Sequence, residues 1–574
     1  PVKQRQENNA QVAQQLDRMR TSLFIRLGVN LITLAMVVYL TLAPEYAFPL
    51  PGFLDPGENL SAYLWSGVIL VMISTVVSGN TVGGGMLSLL RLRPNNDCYS
   101  SLAVFACLIQ GAYVAMTPAL YEEYSSNIYL PMAVLMLLFN TLGKLIMLSR
   151  MAHSFSFAVS KGDKQVAGVV ESRELSRRLA GNVAEDEPRV AYFSQASSVS
   201  NFLDQAFSES KAEDISKIIA PMTAVAALVM ALISYLFSKD IFTAACVYTG
   251  ALCITSPVAG VIASNLPLSL VNGRLARWGA TLCGYEAVGR FSGVNTLYLK
   301  CSELFPKGCV TIQGIKTLDR RPIDQVILDA VSVLGSCDSP LTPLFREMVP
   351  DGHILQKVES LEYQDEMGLS AWVGGRRVLI GNRQLMDAYG VELPSEEWEE
   401  RYTQNGNRVL YLSNSGQAAA MYILSYKADK QMRRALELLC DRDMAVCIYS
   451  TDPNVTAEEI SRIYDFPKEL VAIQPAALHG ATAKYLAPRG RVRAGLLHNG
   501  SPASYVRALL AARSCAGSIT LETAFLLLSV VIGFAIVTFF AFTQGMSALT
   551  WITIAVYQLF WLLVQLTVPL IRGL

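Results

Sequence analysis

The run "NTLYLKCSELFPKGCV", residues 295 to 310, holds a short apolar β-type stretch from Thr296 to Leu299 that stops at Lys300. A polar loop with Cys301, Ser302, Glu303 and Pro306 follows. Open α/β sheets gather their chemistry outside the carboxyl ends of their strands, where a catalytic carboxylate is common. Here that position holds a lysine. A second constellation lies in an apolar stretch near 242 to 266. Cys253 and Ser256 are three apart, so on a helix they share a face and offer one soft and one hard ligand. Pro257 removes a backbone donor and frees carbonyls near Cys253 and Ile254. Gln558 and Gln565 are seven apart, again on one face, and serve as interhelical hydrogen-bond partners or as ligands. The eleven cysteines include no C-x-x-C pair, which argues against a disulfide scaffold or a zinc finger. The four histidines are scattered and suggest no site.

The elements that must position these residues are mostly membrane helices. The chain has 574 residues, 52% of them hydrophobic, and a mean hydropathy of +0.34, so it is too apolar for an ordinary soluble protein. Lys plus Arg and Asp plus Glu balance at 47 each, and no global charge points to nucleic acid. A bilayer crossing takes about 20 residues. Eight stretches qualify, near 23 to 43, 63 to 82, 102 to 120, 128 to 149, 219 to 237, 242 to 266, 521 to 543 and 548 to 570. The first is expected to be no cleavable signal, because a polar tail precedes it and its apolar run is too long. Lys3, Arg5, Arg18, Arg20, Arg91, Arg93, Arg177 and Arg178 fall on one side, while 44 to 62 and 121 to 127 contain no Lys or Arg. The positive-inside rule then places both termini in the cytoplasm of a multi-pass plasma-membrane protein. Lys144 is expected to snorkel to the interface.

Between 271 and 514 strands and helices alternate, which implies a parallel sheet with right-handed crossovers. A β-rich section with the runs "HILQKVESLEY", "LSAWVGG" and "RRVLIGN" is inserted into it. The expected division is a tail 1 to 22, spans 1 to 4 in 23 to 150, a small segment 151 to 218, spans 5 and 6 in 219 to 270, an α/β part at 271 to 334, the insertion at 335 to 425, a second α/β part at 426 to 514, and spans 7 and 8 in 515 to 574.

This order resembles the heavy-metal-transporting (CPx-type) P-type ATPases over nearly the whole chain. Gly83, Gly84 and Gly85, followed by Arg91 and Arg93, match the glycine kink of the family's second span. "CITSPVAG" resembles its interrupted ion-binding helix, with Ser256, Pro257 and Val258 on the C-P-C or S-P-C triplet. "GVNTLYLKCSELFPKGCVTI" is similar to the run containing the phosphorylated D-K-T-G-T, and puts Lys300 in place of its Asp. "CDSPLTPLFREMV" resembles the nucleotide-domain H-P motif, with Ser339 for the His and Pro340 kept. In the G-x-G and G-N elements Glu366 replaces the first Gly, while Gly368, Gly381 and Asn382 remain. Asp452 of the T-G-D loop is kept, with Thr451 replacing the Gly. Leu478 stands where the family has a Lys near the phosphoryl group, and Asn499 and Ala503 replace the two aspartates of G-D-G-x-N-D. No T-G-E occurs in 150 to 218.

The resemblance implies eight spans, a cytoplasmic α/β (HAD-like) phosphorylation-type domain, an inserted α+β nucleotide-type domain and a reduced actuator-type segment. Phosphoryl transfer needs a nucleophile, a bridging magnesium ion and cations on the transferring oxygens. Lysine forms no acyl phosphate, and its ammonium repels Mg²⁺. The expected function is therefore that of a degenerate member, unable to form an aspartyl phosphate, with a binding, regulatory or scaffolding role toward a membrane or cytoplasmic protein partner. Binding of Mg²⁺ and ATP is expected to be weak or absent, and a transition-metal ion at Cys253, Ser256, Pro257, Gln558 and Gln565 is the candidate cofactor. The alternatives are an active ATP-driven cation transporter with divergent motifs and an ATP-independent ion pathway.

Overall fold

The computed structural model describes residues 2–160, 164–181, 183, 187–257, 259–337, 339–350, 354–543 and 545–572. Eight helices among them are long and apolar enough to cross a membrane: Asn9–Tyr46, Pro56–Val77, Asp97–Met116, Leu120–Val159, Lys211–Ser238, Ile241–Arg277, Pro502–Phe542 and Trp551–Ile571, here spans 1 to 8. Each overlaps one expected stretch. The chain divides into two compact units, one of Pro1–Lys161, Asn201–Ser292 and Ala511–Leu574, the other of Gly162–Ser200 and Gly293–Leu510.

In the membrane unit, polar side chains inside the apolar helices find one another, because no water is there to satisfy them. Buried Asn30 of span 1 donates to Ser78 Oγ at 3.2 Å and to Thr141 Oγ1 of span 4 at 3.3 Å, and accepts from Ser74 of span 2. Span 2 ends at Val77, and a second helix, Gly79–Leu90, restarts after Ser78 (φ −93°, ψ 19°). The break is thus one turn ahead of the expected Gly83 to Gly85 kink. Gly85 serves packing instead, since a Cβ there would lie 2.6 Å from the Asp97 carbonyl oxygen. Lys144 does not snorkel. Its Nζ donates to Asp97 Oδ2 at 2.7 Å and to Thr81 Oγ1 at 3.0 Å, while Asn140 donates to Asp97 Oδ1 at 2.9 Å. An acid at the start of span 3 within reach of span 4 offers the ammonium a partner that the interface does not.

Span 5 begins where Ser210 and Glu213 cap each other's backbone N–H groups, at 3.2 and 2.9 Å. Span 6 is interrupted. One helix runs Ile241–Thr255, Ser256 turns extended (ψ 108°), and a second helix runs Gly260–Arg277. Pro257 lies in the gap, as its missing donor requires.

The described strands are β1 (Lys164–Val169), β2 (Val190–Ser200), β3 (Ala280–Leu282), β4 (Thr296–Lys300), β5 (Val310–Thr317), β6 (Val358–Gln364), β7 (Gly368–Val373), β8 (Arg376–Gly381), β9 (Arg408–Asn414), β10 (Gln417–Tyr426), β11 (Ala445–Tyr449), β12 (Val471–Ile473), β13 (Arg489–Arg493) and β14 (Leu496–His498). In the second unit, β5, β10, β9, β8, β7 and β6 form an antiparallel sheet in that order. Its first strand therefore precedes the expected start at 335. The other sheet runs β12, β11, β4, β2, β1, β14, with β13 paired to β2. β4, β11 and β12 are parallel, as the α/β alternation implies, and Lys300 is in register with Tyr449.

The position of β1 and β2 departs from a separate actuator-type segment. β2 pairs parallel with β4 (Val190 with Thr296, Ala191 with Leu297) and antiparallel with β1 over six residue pairs. The reason is in β2's sequence, where Val190, Ala191, Tyr192 and Phe193 are apolar in succession and all buried. A strand apolar on both faces needs a sheet that is packed on both faces. Val190 and Tyr192 enter a core with Leu179, Tyr298, Cys447, Leu478 and Tyr485. On the other face Phe193 meets the His498 and Tyr505 rings edge-on at 4.9 Å.

The Lys144 and Asp97 pair is testable by a double-mutant cycle. Lys144→Met, Asp97→Asn and the double variant, compared in detergent by thermal unfolding, are expected to show a coupling of about 0.5 to 3 kcal/mol. Additive effects would return Lys144 to the interface.

Candidate functional site

Lys300 is the last residue of β4, and its backbone N–H donates to Glu303 Oε2 at 2.9 Å, which caps the short helix Cys301–Leu304. Beyond the adjacent β11, the retained Asp452 is almost fully buried, at 1% exposure. Its carboxylate accepts from the Tyr426 hydroxyl at 2.6 Å and from the Asn454 N–H at 3.0 Å. Burial pushes the Asp452 carboxyl up to about 6, against the lowering effect of those two donors. Oδ2 holds the β10 end against the loop after β11, and Oδ1 braces that loop internally.

The other positions lie elsewhere in the sheet. Asn499 follows β14, and its Oδ1 accepts from the Ser501 N–H at 3.0 Å in the turn that opens the Pro502–Phe542 helix, on which Ala503 sits. From β4 to β14 the order is β4, β2, β1, β14, three interstrand steps, or about 14 Å. A magnesium ion holds its ligands at about 2.1 Å, much less than that spacing of the strands. Leu478, at 2% exposure, is a core residue packed among Val190, Tyr192, Leu179 and Tyr298.

The residues expected at a nucleotide-type site take part in local backbone and side-chain packing. Gly368 and Gly381 are cross-strand partners in β7 and β8. Gly368 has φ +137°, and a Cβ on Gly381 would approach Leu385 Cδ2 to 2.5 Å. Asn382 Nδ2 donates to the Glu366 carbonyl at 2.8 Å, and its Oδ1 accepts from the Leu385 N–H at 3.2 Å as an N-cap. Glu366 itself takes a left-handed φ of +58°, the conformation a glycine adopts without cost. Ser339 is buried, with its Oγ accepting from the Leu341 N–H at 3.2 Å, and Pro340 is buried beside it.

In the membrane, Gln558 Nε2 of span 8 donates to the carbonyls of Cys253, Ile254 and Ser256 at 2.9, 2.9 and 2.8 Å. These are the acceptors left by the Pro257 break, and three acceptors demand that the amide present its nitrogen. Val258 lies outside the described residues. Cys253 and Ser256 point to different partners on span 3. The Cys253 Sγ is 3.4 Å from Cys107 Sγ, a neighbour that no local pattern pairs with it, and Ser256 Oγ donates to the Tyr99 carbonyl at 3.4 Å. No group of three His, Cys, Asp or Glu that could hold a metal ion occurs among the described residues. Gln565 is buried with neither amide atom hydrogen-bonded among the described residues. Glu522 of span 7 is in the same condition. Sequence alone conceals its burial, because a charge at the edge of an apolar run reads as the solvated end of a span, whereas Glu522 is 1% exposed.

No family model matches the sequence. The chain is 25% identical over 256 residues to a copper-exporting P-type ATPase of Bacillus subtilis, covering 44% of this chain and 32% of that protein. It is 22% identical over 213 residues to a silver-exporting P-type ATPase of Salmonella typhimurium, covering 37% of this chain and 26% of that protein. The matches thus span between 26% and 32% of these relatives' length. Among solved structures, a zinc-transporting PIB-type ATPase in the E2.Pi state aligns over 95% of this chain and 99% of its own, at 13% identity and a TM-score of 0.47.

Two outcomes follow from the bonding. Gln558→Met strands three carbonyls in an apolar setting and is expected to cost about 1 to 3 kcal/mol, read as a lower unfolding midpoint in detergent. Asp452 has its pKa raised in the fold, from 3.8 to about 6, so the folded state binds more protons between those values and stability falls as pH rises through that window. Asp452→Asn is expected to flatten that decline, worth about 3 kcal/mol, in thermal melts run from acid to neutral pH. An unchanged slope would show that Asp452 does not titrate in this range.

Proposed function

We propose that this chain is a multi-pass membrane protein of the P-type ATPase cation-transport lineage that forms no aspartyl phosphate and acts by binding, as a regulatory or scaffolding partner. The observation behind this reading is the sheet order. Two strands, β2 and β1, stand between the strand that ends in Lys300 and the strand that leads to Asn499. A nucleophile and a metal-binding loop need to meet at one magnesium ion, and here both the side-chain types and their spacing are unsuited to that.

Leu478 supports the same reading. A lysine there would place its ammonium in a core built from Val190, Tyr192 and Tyr298. Strands β2 and β1 take the places in the sheet between β4 and β14. Nucleotide binding is weak in this account, because the groups at Gly368, Gly381 and Asn382 serve the hairpin and the following helix. The similarity to copper- and silver-exporting relatives favours a cation as what the membrane half handles, with both termini cytoplasmic and the plasma membrane as its location.

The test is phosphorylation of the purified full chain with radioactive ATP. No acid-stable, hydroxylamine-sensitive band is expected, either from the wild type or from the quadruple variant Lys300→Asp, Leu478→Lys, Asn499→Asp, Ala503→Asp. Leu478→Lys alone is expected to destabilise by about 3 kcal/mol or more, since it buries a charge in an apolar core. A phosphoenzyme in the wild type would overturn the reading, and one in the quadruple variant would overturn the argument from sheet order.

A further inference from the structure

We propose that Glu522, with Gln565 and Ser518, forms a buried site between spans 7 and 8 for a small monovalent hard cation, filled by a proton when the cation is absent. Glu522 is 1% exposed, and neither carboxylate oxygen has a hydrogen-bond partner among the described residues. An ionised carboxylate in that condition costs far more than folding can return, so it carries a proton or a bound cation.

Three contacts fix what faces it. The Arg572 guanidinium lies over Gly517, the Phe525 and Trp561 rings are 6.5 Å apart, and the Tyr557 hydroxyl donates to the Ser529 carbonyl. Spans 7 and 8 therefore run antiparallel, in a register that sets Glu522 opposite the turn carrying Gln565. Gln565 is 2% exposed, with both amide atoms unpaired, and Ser518, one turn before Glu522, is fully buried with its hydroxyl unpaired. Both helices face the restart of span 6. Leu526 approaches the Cβ position of Gly260 to 3.6 Å, and Leu562 and Leu566 pack on Ala259 and Ile262.

Tyr285 interacts electrostatically with Arg150, Glu213, Cys515 and Glu522, and Cys515 with Glu522 and Arg150. Arg150 donates to the Ala206 carbonyl at 3.2 Å and stands 5.1 Å from the Tyr285 ring centre. Glu213 is taken by the span 5 cap and Ser264. Neither Arg150 nor Arg572 hydrogen-bonds to the Glu522 carboxylate. The donor set is a carboxylate, a carboxamide and a hydroxyl, all oxygen, which suits a hard ion rather than a copper or zinc ion. One carboxylate balances one positive charge, and a divalent ion would leave a net charge buried between the helices.

The site is independent of whether the chain forms a phosphoenzyme. Purified full-length protein in nanodiscs is treated with dicyclohexylcarbodiimide, which modifies protonated buried carboxyls, and the adduct is located by mass spectrometry. Labelling of Glu522 that Na⁺ or Li⁺ suppresses, and Zn²⁺ or Cu⁺ does not, is the expected result. Gln565→Leu is expected to keep the labelling and raise the protecting Na⁺ concentration about tenfold through loss of one ligand. Glu522→Gln, near in shape, loses the adduct and reports any labelling at other acids. No adduct at Glu522 in protein that elutes as a folded species, an adduct indifferent to Na⁺ and Li⁺, or protection by Zn²⁺ or Cu⁺ alone would overturn the proposal.

Discussion

The mixed α/β unit depends on one constraint: β2 is apolar on both faces. Val190 and Tyr192 demand cover on one side, Ala191 and Phe193 on the other, and a solvent-facing strand supplies cover on one side only. β2 lies beside β4, with β1 on its other edge. Burying these side chains is worth roughly 1.5 to 3 kcal/mol each for the larger ones, more than a typical hydrogen bond contributes. The rest follows from that placement. Leu478 becomes a core residue, His498 and Tyr505 pack against Phe193, and the β4 and β14 ends are held apart.

The membrane unit obeys a different rule, that polar groups away from water must pair. Asn30, the Lys144 and Asp97 pair, and Gln558 on the carbonyls freed at Pro257 each meet it. Glu522 and Gln565 do not meet it through protein atoms among the described residues. Their shared level on spans 7 and 8 is what distinguishes them from the helix-joining polar residues above and below.

Much of this is legible in the sequence, and for physical reasons. Apolar runs long enough to cross a bilayer announce themselves one residue at a time, and alternating strands and helices announce a parallel sheet. Pro257 and the carbonyls behind it follow from the chemistry of proline, and Gln558 already falls on the right helix face. Pairings between distant segments are what stay hidden. Nothing local in 164–200 says which sheet it joins, since β2 shows only that it must be covered on both sides. Lys144 reads as an interfacial lysine until Asp97, 47 positions earlier, is placed beside it. Cys107 lies against Cys253 across 146 positions, and Glu522 is visible as buried only once span 8 is packed against span 7. Lys300, Leu478, Asn499 and Ala503 stand out only against a motif pattern. The physical reason Leu478 is a leucine comes from its neighbours in the core.

Engineered disulfides test the place of β2 beside β4, because a bridge forms only between Cα atoms about 4.4 to 6.8 Å apart. Two double-cysteine variants are oxidised in the membrane and mapped by mass spectrometry, one at Val190 and Thr296, the other at Lys300 and Asn499. A bridge between 190 and 296, and none between 300 and 499, is the expected result. A bridge between 300 and 499, with none between 190 and 296, would refute that placement and reunite the two halves of a phosphorylation-type site.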